Sequence, residues 1–278
     1  MKTVVTMTSY PKRISAVAEF IYLFYQTQTV KPDYFYLWLS EKEFPDKEAD
    51  LPHDLLLVCK YFGVIISWVP YNDGCTKRWN VYPKHYHDVV VAVDEDNVYD
   101  FALIETMKKY TRKTGCIYAV WESLTNYLVP NGSIDFKYRN YASLHLPDHS
   151  LRMKISGNSV VPPDTFPMDA LNPDYISLRE RYCPKCDESW LQPFYRYNNI
   201  ESSVMHLEKV ACDDSMNSTG INAAGKRIEG IWWKNLQMYI VLRLFPHLYK
   251  KWMTIFPEYD DSKFRHYSVD ELKDLLSC

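Results

Sequence analysis

The sequence predicts a doubly wound α/β fold, a mostly parallel sheet flanked by helices. Three observations predict it. Strand-like apolar runs alternate with helical patterns over the first 110 residues. The run Val89-Val90-Val91-Ala92-Val93 lacks polar alternation, as a strand buried on both faces requires. Polar segments follow the first, third and fourth runs, so Thr8–Arg13, Asp73–Arg78 and Asp94–Asp96 fall on one edge. Such sheets bind ligands there, beyond the carboxyl ends of their strands.

Each element has a local reason. Val4, Val5 and Met7 form a short strand ahead of a Pro-containing loop. Ile14 to Gln26 carries apolar residues at helical spacing. The aromatic run Tyr34 to Leu39, bounded by Pro32-Asp33 and Ser40, reads as the second strand. Leu51 to Phe62 reads as a helix closed by Gly63, and Val64 to Val69 as the third strand. Tyr71 to Trp79 is polar, with a turn signal at Asp73-Gly74. After the fourth strand, Val89–Val93, Phe101 to Tyr110 reads as helix. Cys116 to Lys154 suggests hairpins, with a turn at Asn131-Gly132. From Ile228 the chain is helical and aromatic, and Ser268-Val-Asp-Glu271 is a capping box opening the last helix.

Composition bounds the function. A chain of 278 residues with 47% hydrophobic residues supports a substantial core. A net charge of −3 gives no electrostatic footing for nucleic acid, so none is expected as a partner. Seven cysteines without a secretory signal read as free thiols. Cys183-Pro-Lys-Cys186 lacks the second pair that a structural zinc site needs. No stretch of about 18 apolar residues exists, and Met1–Val5 does not resemble a signal peptide. The expected location is therefore cytoplasmic.

Two acidic motifs carry chemistry. Asp94-Glu95-Asp96 follows the buried fourth strand directly. A D-x-D delivered to the binding edge suits a hard divalent ion, Mn²⁺ or Mg²⁺, that keeps positions open for phosphate oxygens. The second motif, Asp187-Glu188, lies at an expected helix start. A carboxylate there either removes a proton from an acceptor hydroxyl or, as Asp187, caps the helix.

Thr8-Ser9-Tyr10-Pro11-Lys12-Arg13-Ile14, Gln26-Thr27 with Lys31-Pro32-Asp33, and Leu37-Trp38-Leu39-Ser40 open an ordered series. It continues through Thr76-Lys77, Val93-Asp94-Glu95-Asp96-Asn97-Val98-Tyr99, Gly157 with Pro162-Pro163, and Cys186-Asp187-Glu188-Ser189-Trp190-Leu191. The series resembles a bacterial family of glycosyltransferases with a GT-A type fold, over about seven-tenths of the chain. The resemblance implies a nucleotide-sugar donor, with a UDP-sugar expected, and a saccharide or lipid-linked saccharide acceptor. It implies that Thr8, Ser9, Tyr10 and Arg13 face the nucleotide, with Lys77 near the diphosphate and Asp94 and Glu95 at the donor. It implies Asp94 and Asp96 as metal ligands, with His206 a third by position, and Asp187 or Glu188 as catalytic base. The family tends to show three aspartates at the D-x-D and two at Asp187-Glu188, so the outer ligands are kept and the choice of base stays open.

The expected organisation is a GT-A-like catalytic domain over 1–210, with a helical C-terminal region, 211–278, packed on it or extending it. Trp232-Trp233-Lys234 through Arg243, then Lys250-Lys251-Trp252, reads either as a packed helical region or as an interfacial helix at the inner face of the plasma membrane. Two other functions are consistent with the sequence: a sugar-phosphate nucleotidyltransferase and a non-catalytic carbohydrate-binding protein.

Overall fold

The computed structural model describes residues 1–110, 116–119, 159–184, 186–204, 211–212, 227–255 and 266–277. Asn131-Gly132, Gly157 and His206 lie outside them. The chain alternates β1 (Thr3–Thr8), α1 (Ile14–Thr27), β2 (Tyr34–Ser40), α2 (His53–Phe62) and β3 (Ile65–Val69). A 3-10 segment, Gly74–Val81, and the short α3 (Tyr82–His85) lead to β4 (Val89–Ala92). Then come β5 (Asn97–Val98), α4 (Leu103–Tyr110), β6 (Cys116–Ala119), β7 (Ser159–Val161), α5 (Ile176–Tyr182) and α6 (Asp187–Tyr197). β8 (Glu201–Val204), β9 (Ala211–Cys212), α7 (Arg227–Leu244), α8 (Pro246–Ile255) and α9 (Val269–Ser277) complete the described elements.

Seven strands form one sheet in the order β3-β2-β1-β4-β7-β6-β8. β3, β2, β1 and β4 run parallel, β7 is antiparallel to both β4 and β6, and β8 is parallel to β6. The fold is therefore α/β with a mostly parallel, mixed sheet. β5 and β9 pair separately as a two-stranded ribbon. Because the strand order reverses at β1, the crevice beyond the carboxyl ends of β1 and β4 is a topological switch point.

The sheet is covered on both faces. Val5 and Met7 of β1 and Val89 and Val91 of β4 pack under α1, α2 and α4. Their neighbours in the chain, Val4, Val90 and Ala92, point the other way, into a cluster with Trp190, Phe194, Met238, Val241, Phe245 and Trp252. The two-residue side-chain period of a strand sends alternate residues of one apolar run to opposite cores. The second cluster joins β1 and β4 to α6, α7 and α8, so the C-terminal helices complete the core of the sheet. α9 packs on α7 through Leu272, and its start is the expected box: Glu271 N–H donates to Ser268 Oγ (3.2 Å) and Ser268 N–H to Glu271 Oε2 (2.7 Å).

Several elements differ from their sequence expectations. α2 begins at His53, because Pro52 precedes it and Lys47–Asp50 forms a separate 3-10 turn. It ends as expected at Gly63, whose φ of +70° is the left-handed conformation a helix stop requires. Tyr71–Trp79, read as polar with a turn at Asp73-Gly74, carries most of the 3-10 segment, with Thr76, Lys77, Arg78 and Trp79 buried. β7 is too short, at three residues, to show a period, and Pro162 follows it. Over Leu236–Leu242 every side chain of α7 is buried, and Leu248 and Trp252 of α8 are buried too. This is the packed-helix reading of the C-terminal stretch. The side chains of Trp232, Trp233 and Lys234 lie outside the described part. Among the described residues no helix is long and apolar enough to cross a membrane.

Candidate active site

The D-x-D turn leaves β4 at the switch point. Its backbone is fixed by the Asp94 N–H, which donates to the buried Tyr99 hydroxyl (2.8 Å). Glu95 turns inward, its side chain 4% exposed, while Asp94 and Asp96 each keep 25% exposure. From the facing strand end, Arg13 at the start of α1 reaches Glu95 Oε1 (3.4 Å) and Asp96 Oδ2 (3.0 Å). The Ser9 hydroxyl donates to Glu95 Oε1 at 3.4 Å. The end of β1 and the end of β4 are thus tied together across the crevice.

A second guanidinium completes the arrangement. Arg78 of the 3-10 segment places Nη1 2.6 Å from Asp94 Oδ1 and Nε 3.8 Å from Asp187 Oδ2. Asp187 Oδ2 also accepts from Trp79 Nε1 at 2.8 Å. Asp187 and Glu188 form the first turn of α6, where the partial positive charge of the helix N-terminus favours anions. The N-cap residue is Cys186, so Asp187 is not the cap and its carboxylate faces Arg78 and Trp79 instead. Glu188 is buried, and its Oε2 accepts from the Cys186 thiol at 3.1 Å.

Burial sets the protonation of the cluster. Burial, with the nearby Asp94 charge, pushes the Glu95 carboxyl up to about 7. Burial also raises the Asp187 carboxyl, against the pull of Arg78 and with Glu188 adding to the rise. A carboxylate with raised proton affinity is a better general base. The Cys75 thiol beside them is pushed up to about 12 by desolvation and by the Asp187 carboxylate, which keeps it a neutral neighbour rather than a nucleophile.

The other expected donor residues spread around this centre. Thr8 ends β1 and ties its hydroxyl to the Trp38 carbonyl (2.8 Å), within the sheet. Tyr10 is half-buried, with Arg13, Glu95 and Asp96 among its charged neighbours, and its hydroxyl is raised by desolvation. Lys77 is enclosed, and its described bonds run to Glu43 Oε2 (3.3 Å) and Asn72 Oδ1 (3.1 Å). Arg78, one residue further on, is the cation on Asp94, and no role was assigned to it from the sequence. Its only signal is its place beside Lys77 and Trp79 in a polar segment at the binding edge. Successive side chains of a 3-10 turn point about 120° apart, so the backbone path decides which cation faces the site.

Asp94 and Asp96 are the residues that could hold a hard divalent ion. Asp94 and Asp96 are partly exposed oxygen donors on one turn, and Mg²⁺ is commonly held by one or two carboxylates plus phosphate oxygens. Among the described residues no group of three or more His, Cys, Asp or Glu is arranged to hold a metal. Two guanidiniums here contact four carboxyl groups, Asp94, Glu95, Asp96 and Asp187. No protein-family model matches the chain, and no curated protein is significantly similar to it.

Proposed function

We propose that the chain is a metal-dependent glycosyltransferase of the GT-A type that moves a sugar from a nucleotide-sugar, a UDP-sugar first among them, to a saccharide or lipid-linked saccharide hydroxyl. A role in surface polysaccharide synthesis at the cytoplasmic face of the membrane fits such an acceptor. One observation carries the reading: Asp94 of the D-x-D and Asp187 at the head of α6 lie 93 residues apart in sequence yet share the Arg78 guanidinium at the switch point. A metal-ligating carboxylate and a base beside one crevice are what glycosyl transfer from a diphosphate needs.

In this reading Asp94 and Asp96 would hold Mn²⁺ or Mg²⁺, which would neutralise charge on the departing diphosphate. Ser9, Tyr10 and Arg13 border the nucleotide at the end of β1. Asp187 takes the proton of the acceptor hydroxyl as its oxygen bonds the anomeric carbon, and the bond from that carbon to the diphosphate breaks with its electron pair. Both described contacts of Asp187 use Oδ2, so Oδ1 is the oxygen assigned to the proton. Asp187 is preferred to Glu188 because it shares Arg78 with Asp94. One displacement of this kind inverts the anomeric centre.

The test is a thermal-shift screen against UDP-, GDP-, dTDP- and CMP-sugars, with and without Mn²⁺, followed by assay of nucleoside diphosphate release. Stabilisation by one donor class only with metal, and slow release of its nucleoside diphosphate, is the expected result. No shift with any donor overturns the reading. Stabilisation by a nucleoside triphosphate with a sugar phosphate would point to nucleotidyl transfer instead.

A further inference from the structure

Asp94 has two claims on it. Arg78 holds it at 2.6 Å, and the proposed function asks it to ligate a divalent ion. Arg78 cannot simply swing away. Its side chain is 4% exposed, Nη1 also donates to the Val93 carbonyl (3.4 Å), and Nε donates to the Cys75 carbonyl (3.2 Å). Its own carbonyl accepts from the Thr6 hydroxyl of β1 at 2.7 Å, which anchors its backbone to the sheet. Drawing Asp94 toward a divalent ion therefore leaves a fixed guanidinium beside a second cation, with Asp187 at 3.8 Å as its remaining carboxylate. A buried charge that loses a partner is strongly unfavourable. Phosphate oxygens arriving with the ion remove that penalty, because guanidinium binds them by short, charge-assisted hydrogen bonds.

We propose that Arg78 is a donor-binding residue that couples metal to diphosphate: it opposes a divalent ion that comes alone to Asp94, and it pairs with the diphosphate when the two arrive together. The inference rests on the glycosyltransferase reading and adds to it an order, in which metal and donor bind as one unit. It also assigns recognition of the diphosphate to Arg78, where the sequence pointed to Lys77.

Binding of Mn²⁺ alone, inorganic pyrophosphate alone and the preformed Mn²⁺–pyrophosphate complex, measured by titration calorimetry on the full chain, tests this without turnover. Wild-type protein is expected to bind the complex at least about tenfold more tightly than either component, within the usual range of coupling between sites. Arg78→Gln should bind Mn²⁺ alone more tightly than wild type and lose most of the preference for the complex. Arg78→Lys, which keeps the charge but not the planar fork, should retain part of it. Equal wild-type affinity for Mn²⁺ alone and for the complex overturns the proposal even if neither variant folds. Wild-type coupling that survives unchanged in Arg78→Gln overturns the role of Arg78 and leaves the glycosyltransferase reading standing. Failure of wild-type protein to bind the complex at all defeats both.

Discussion

At the scale of single residues, the three members of the D-x-D do different work. Asp96 is partly exposed and held by Arg13, and the neighbouring Asn97 amide donates to its Oδ1 at 3.0 Å. On the proposed function, Asp96→Asn should lower metal-dependent transfer by about 10²-fold, the scale seen when one group stabilising transition-state charge is removed. Its unfolding free energy should change by less than about 1 kcal/mol, as for other partly exposed ion pairs. Transfer assays beside urea unfolding check both halves. Glu95 is the opposite case, a buried carboxyl facing Asp94, Asp96, Arg13 and Ser9. Its pKa rises from 4.5 to about 7 on folding. Between those values the unfolded chain has released this proton and the folded one still holds it. Stability therefore falls as pH rises through that window, and levels off above it, by about 3 kcal/mol. In protein stripped of divalent ions, Glu95→Gln should gain stability relative to wild type as the pH is raised from 4.5 to 7.5. A difference between the two that does not change with pH would refute the assignment.

At the scale of elements, the site depends on how one 3-10 segment is clamped. Gly74–Val81 carries Arg78 and Trp79, and the preceding Asp73 is fully buried against Arg179 of α5 at 2.8 Å. Arg179 also donates to the Ala170 carbonyl at 3.2 Å. Removing one partner of a buried pair strands the other, so Arg179→Met should cost about 3–5 kcal/mol in urea unfolding. Part of that cost should lessen at low pH, where Asp73, already raised by burial, takes up a proton. A loss under about 1 kcal/mol would mean that the segment's other contacts hold it, among them the Thr6 hydroxyl on the Arg78 carbonyl and Trp79 stacked on Phe166. The sequence showed the strand ahead of the D-x-D and the acidic head of α6, because each is a local pattern. The Arg179 clamp was invisible, since it joins residues 106 positions apart with no periodic signature.

At the scale of the molecule, the C-terminal helices share the sheet's second core with residues before 210. Met238, Val241, Phe245 and Trp252 lie in one cluster with Val4, Val90 and Val161. Ending the chain at residue 210 would remove those four side chains and open the cluster they complete to water. The truncated chain should lack a cooperative thermal transition, whereas the full chain should unfold in a single one. A folded, cooperative 1–210 fragment would show instead that the C-terminal region only extends the domain.

Much of this protein is determined by the sequence alone. Hydrophobic period and turn residues place β1, α1, β2, β3, β4 and the capping box of α9 to within a few residues, because these are short-range properties of the chain. The D-x-D falls at the carboxyl edge of the sheet for the same reason, since it follows directly on a strand buried on both sides. The tertiary structure alone decided that Arg78 rather than Lys77 faces that turn, that Glu95 points inward, and that a three-residue antiparallel strand borders β4. It also decided that Asp187 turns toward Arg78 and Trp79 instead of capping its helix. Those outcomes depend on side-chain direction and on contacts between segments far apart in the chain, and no local pattern of residues encodes either.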